Sequence, residues 1–97
     1  MAAYVMVQLQ VTDPERFKEY AAQVPATLEQ YGGRYVIRGG EYEVLEGDWP
    51  QRRHVVLEFA SKEAALTWYD SPEYAPLKAL RFSASDGNAI IIEGYAP

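Results

Sequence analysis

The chain has 97 residues, 48% hydrophobic and 24% charged, which is one domain's length and a composition able to fold around a core. With no cysteine and a single histidine, it has no disulfide framework, no thiolate metal site and no usual zinc ligand set, and no cofactor is expected. A net charge of -5 argues against nucleic acid as a partner, because such binding needs a positive patch to replace counterions.

No apolar run is long enough to span a bilayer, and the N-terminus lacks a basic segment followed by an apolar one. The expected setting is therefore a reducing cytoplasm, with no membrane partner. A domain this small buries a limited fraction of its surface, which makes self-association a plausible source of added stability.

Residues 5–11 (VMVQLQV) alternate as a half-buried strand. Asp13-Pro14 supplies an N-cap and a proline suited to the first helical position. Phe17, Tyr20, Ala21, Val24, Leu28 and Tyr31 then recur at helical spacing. Pro25 lies inside that pattern and is expected to kink or restart the helix, which Gly32 or Gly33 ends.

A β-type run follows at Arg34–Arg38, then a turn or bulge at Gly39-Gly40. Residues 42–46 (YEVLE) alternate and read as a sheet extension or small hairpin, and 47–53 as a loop. Residues 54–60 (HVVLEFA) form the next main strand. Ser61 caps a second helix with Ala64, Ala65, Trp68 and Tyr69 as its stripe. Ser71-Pro72 breaks it, and Tyr74, Leu77 and Leu80 continue on a further segment. Asp86-Gly87-Asn88 is turn chemistry, and 89–95 (AIIIEGY) is the last strand.

The order is βαββαβ over a single domain, residues 1–97. This is an α+β, ferredoxin-like arrangement: a four-stranded antiparallel sheet with two broken helices on one face. Alternation puts Val5, Val7, Leu9, Tyr35, Ile37, Val55, Leu57, Phe59, Ile90 and Ile92 toward the helices. It puts Tyr4, Met6, Gln8, Gln10, Arg34, Val36, Arg38, His54, Val56, Glu58, Ile91 and Glu93 on the other face. Met6, Val36, Val56 and Ile91 make that face too apolar for a free surface. The expected partner is a second copy, packed sheet to sheet.

The candidate site residues follow from this layout. Arg34 and Arg38 would share the open face, each able to pair an anion, either a neighbouring glutamate or a ligand. His54 is the sole imidazole and the one candidate general base. Glu58 in an apolar strand needs a partner, with Arg34 and Arg38 close by. Gln8 could orient a ligand. Trp68, Tyr69 and Arg81 could line a pocket at the broken helix, although helical spacing also suits core packing. Trp49 would suit a dimer interface. No phosphate loop, GxSxG or metal spacing occurs.

The segments AAYVMVQLQVTDPERFKEY, VPATLEQYGGRYVIRGG, EVLEGDWP, VVLEFASKEAALTWYDSPEYAPLKALR and IIIEGY, taken in order, resemble the domain of unknown function 1330. That resemblance implies the dimeric α/β barrel superfamily and no established reaction. Fold relatives include antibiotic-biosynthesis-type monooxygenases, muconolactone isomerases and stress-response proteins. The function expected is binding of a small organic molecule, anionic or aromatic, in a cavity by the sheet, with a cofactor-independent monooxygenase or isomerase as its enzymatic form. The alternative is a non-enzymatic dimeric structural or stress-associated protein.

Overall fold

In the computed structural model, which describes residues 1–96, the chain runs β1 (Ala3–Val11), α1 (Pro14–Tyr31), β2 (Arg34–Arg38), β3 (Arg53–Phe59), α2 (Lys62–Tyr69), α3 (Ala75–Ala84) and β4 (Ser85–Glu93). The strands form one antiparallel sheet in the order β2-β3-β1-β4. This is the expected ferredoxin-like arrangement, with the second helical region divided in two.

The helix boundaries follow from capping chemistry. Asp13 accepts a hydrogen bond from the Arg16 amide, and Gly32, left-handed at φ 78°, closes α1. Ser61 accepts from the Ala64 amide at the start of α2. Ser71 is buried, donates to the Trp68 carbonyl and accepts from the Tyr74 amide. One hydroxyl therefore ties the end of α2 to the chain entering α3, and seats two aromatic rings beside each other.

The core lies between helices and sheet. Val5, Leu57 and Phe59 meet Val24 and Leu28 of α1, Ala65 and Trp68 of α2, and Tyr74 and Leu77. Trp68 is its hub. Its ring stacks on Tyr74 with centroids 4.1 Å apart, and its indole N–H donates to Thr27.

Four local expectations are corrected. First, α1 runs through Pro25 as one helix and does not restart there. The missing proline N–H leaves the Ala21 carbonyl without its helical donor, and Arg38 Nη2 supplies one at 3.0 Å. Second, β2 carries an irregularity between Tyr35 and Ile37. Arg34 pairs with Glu58 and Tyr35 with Leu57, but Ile37 pairs with Val56 and Arg38 with Val55. The extra residue, Val36, reverses the parity of the two residues after it. Ile37 therefore joins the open face, and Arg38 turns to the helix side.

Third, Asp86-Gly87-Asn88 lies within β4, not in a turn, and Ile91 pairs with Val5. Ile91 packs on the core, while Ile90 and Ile92 are exposed. Gly87 permits this pairing, because a Cβ there would collide with the Gln8 carbonyl oxygen. Fourth, residues 42–46 form no strand. Gly39, at φ 69°, donates its N–H to the His54 carbonyl, and the chain beyond it runs over the open face of the sheet.

Candidate functional site: a cationic chamber under the helices

The two faces of the sheet divide the predicted site residues. Gln8, Arg34, His54 and Glu58 occupy the open face; Arg38, Trp68, Tyr69 and Arg81 lie on the helix side. Arg34 and Arg38 therefore do not share a face, contrary to simple alternation.

On the open face the polar groups find protein partners. Arg34 forms an ion pair with Glu58, which also accepts from the Tyr4 hydroxyl. His54 Nε2 accepts from the Trp49 indole N–H at 3.0 Å, and the Tyr42 ring meets the imidazole edge-on. Gln8 lies opposite His54 in the backbone register of β1 and β3. The chain from Gly40 to Trp49 overhangs this face and leaves an open cleft of about 620 Å³, floored by Met6, Ile37 and Val56.

The helix side differs. Arg38, Arg53 and Arg81 line one chamber together with Tyr20, Tyr35, Tyr69 and Tyr74, and no Asp, Glu or His is among its lining residues. Among the described residues, none of the three arginines has a carboxylate within 4.0 Å. The Nε–H groups of Arg53 and Arg81 are buried without a hydrogen-bond acceptor. Arg81 itself is 5% exposed. Buried donors without acceptors are rare, because each costs its full desolvation.

Three elements set this arrangement. Arg53 shares strand parity with Val55 and Leu57, so its stem runs under α1, where the guanidinium lies over the Phe17 ring. A Cβ at Gly39 would collide with the Arg53 guanidinium, so glycine makes room for this side chain. Arg38 lies over the Tyr35 ring with its guanidinium held at the Ala21 carbonyl. Arg81 comes from the last turn of α3.

The phenols are tuned by the same surroundings. Tyr20 and Tyr74 share one hydrogen bond, with their hydroxyl oxygens 2.8 Å apart. Burial, then the neighbouring Tyr74, pushes the Tyr20 hydroxyl far above the ordinary phenol range, and Arg81 pulls weakly the other way. Burial likewise raises Tyr74 against the pull of Arg81, and Tyr35 against Arg38 and Arg53. At neutral pH all three are protonated donors. The chamber thus offers guanidinium and hydroxyl donors and no general base of its own.

Sequence reasoning misses Arg53 and Tyr20 as site residues. A signal for Arg53 exists in its i, i+2, i+4 spacing with Val55 and Leu57. Tyr20 belongs to the apolar stripe of α1, and that spacing says nothing of its hydroxyl. Trp68 lines the chamber but is 1% exposed and already hydrogen-bonded to Thr27, so its main contribution is to the wall.

The sequence matches the family described as a domain of unknown function (DUF1330) over residues 2–95, and the chain belongs to that family. No curated protein matches it. Among solved structures, it is similar to the RPA0582 protein of unknown function from Rhodopseudomonas palustris. That match has 19% identity and a TM-score of 0.78, covering 99% of this chain and 84% of the other. It is also similar to a dimeric ferredoxin-like protein of unknown function from Jannaschia sp. CCS1, with 15% identity, a TM-score of 0.68 and coverage of 99% and 100%. SnoaB, a cofactor-independent oxygenase from Streptomyces nogalater, matches at 13% identity with a TM-score of 0.67, covering 99% and 95%. At these identities the likeness establishes the fold.

Proposed function

We propose that the protein is a homodimer that binds a small organic anion in the chamber between helices and sheet. The observation that supports this most directly is the set Arg38, Arg53 and Arg81, which converges on one chamber without a carboxylate partner. A buried guanidinium lacking both counter-charge and acceptor is costly, and a bound carboxylate or enolate would relieve both deficits. Tyrosine rings on the walls suit a guest with an apolar or aromatic body.

The free volume of the chamber is about 30 Å³, far below the several hundred cubic ångströms of an ordinary ligand pocket. A guest therefore enters by displacing Arg38, the exposed arginine of the three, from the Ala21 carbonyl. An enzymatic form of this reading is cofactor-independent oxygenation or isomerisation of the bound anion. It draws support from the fold shared with SnoaB, itself a cofactor-independent oxygenase. With no base in the lining, such chemistry would begin from a substrate that arrives ionised.

The dimer reading rests on the open face. Ile90 and Ile92 are 56% and 48% exposed beside Met6 and Ile37, an apolar surface that a second copy would cover. The dimeric Jannaschia protein is of like fold. A cytoplasmic setting accords with the cysteine-free chain. The narrow void favours one second reading, a non-enzymatic dimeric or stress-associated protein whose chamber is closed core.

A thermal-shift screen of small carboxylic acids, run beside Arg81→Met and Arg38→Met, separates the two. Saturable stabilisation of the parent protein that both variants weaken is expected. No response to any acid would leave the non-enzymatic reading. Light scattering at micromolar concentration should show a dimer that Ile90→Asp with Ile92→Asp dissociates; a monomeric parent protein would overturn the dimer.

A further inference from the structure

We propose that the chamber takes a guest with two anionic ends, a short dicarboxylic acid, held by donors at both; this rests on the anion-binding reading above and specifies its ligand.

The inner end is Arg81 with the Tyr20–Tyr74 pair. Two hydroxyls carry two protons, but they share a single hydrogen bond. Whichever hydroxyl accepts, its own proton has no described acceptor. Tyr74 is 1% exposed, and the Nε–H of Arg81 is also unpaired. One carboxylate would accept from both.

The outer end is Arg38 with Arg53. They lie on adjacent antiparallel strands, both turned to the helix side, and both act on Tyr35. Arg38 meets only a neutral carbonyl, which Pro25 left free, so its charge is not neutralised and it can turn from that carbonyl to an entering anion. Arg53 is wedged against Gly39 with its Nε–H unpaired. Two guanidinium groups of like charge held this way favour an anion between them.

Charge balance distinguishes the ligand classes. Three cations line the chamber and no acidic side chain does. A monoanion would leave two positive charges uncompensated, whereas a dianion leaves one. A short dicarboxylic acid is already ionised at neutral pH, so a lining without Asp, Glu or His suffices to hold it.

Isothermal titration calorimetry of the full chain in low-chloride buffer at neutral pH tests this with malonate, succinate and glutarate against butyrate, which matches succinate in carbon number with one carboxylate fewer. The best dicarboxylate should bind about 10- to 100-fold tighter than butyrate, the value of one added charge-assisted contact. Arg38→Met should remove the dicarboxylate's advantage, bringing its affinity down to that of butyrate in the same variant. Arg81→Met should weaken both, and Arg81→Lys, which keeps the charge, should retain part of each if the methionine variant does not fold. Equal affinity for butyrate and the dicarboxylates would overturn the two-ended site and leave the anion-binding reading standing. No binding of any of the four acids would overturn both.

Discussion

The two faces of one sheet carry similar chemistry to different ends. On the open face, Arg34 meets Glu58 and His54 meets Trp49. Under the helices, Arg53 and Arg81 have buried donors that meet nothing. The difference is not in residue type, since β2 supplies Arg34 to one side and Arg38 to the other. Within β2 the two arginines are sent to opposite sides by a single extra residue, Val36, between them. Pairing on one side and its absence on the other are the reason the proposed site is the helix-side chamber.

The largest contrast should appear in the two tryptophans. Trp68, 1% exposed at the core hub, should cost about 3–5 kcal/mol when replaced by alanine, close to the whole stability of a small domain. Trp49→Ala, at a residue 48% exposed, should cost about 1 kcal/mol, the value of its bond to His54. Urea unfolding of both variants measures this, and equal losses would break the distinction between the faces.

Alkali should act next. Burial raises Tyr20 and Tyr74 in the folded chain, so the unfolded chain releases these protons first. Stability is thus retained below about pH 10 and falls as pH rises past it, by up to about 1.4 kcal/mol per pH unit for each phenol. Tyr20→Phe should flatten the decline in a pH series of urea midpoints; an unchanged slope would contradict the tuned pair.

The smallest effect belongs to the open face. The Arg34 side chain is 70% exposed and that of Glu58 22%, so a double-mutant cycle should give about 0–1 kcal/mol of coupling. A larger value would make this pair a structural anchor.

Much of this is legible in the sequence. Asp13-Pro14 and Ser61 announce their helix starts through side-chain chemistry that acts locally, while Ser71-Pro72 marks the break and α3 begins only at Ala75. The alternation of 5–11 and 54–60 sets the faces of both central strands, because each has polar residues to fix its parity. Three isoleucines in a row at 90–92 carry no parity, and pairing with β1 decides it. The bulge at Val36 depends on the partner strand, so Arg38 cannot be placed from β2 alone. Pro25 reads as a break in the sequence because the carbonyl it frees finds its donor 17 residues away.

The two tryptophans also provide the most direct test, since Trp68 lines the chamber and Trp49 the open cleft. In Trp49→Phe, the emission of Trp68 should change saturably as succinate is added, and in Trp68→Phe, Trp49 should not respond. A response from Trp49 with a silent Trp68 would place binding on the open face and contradict the account.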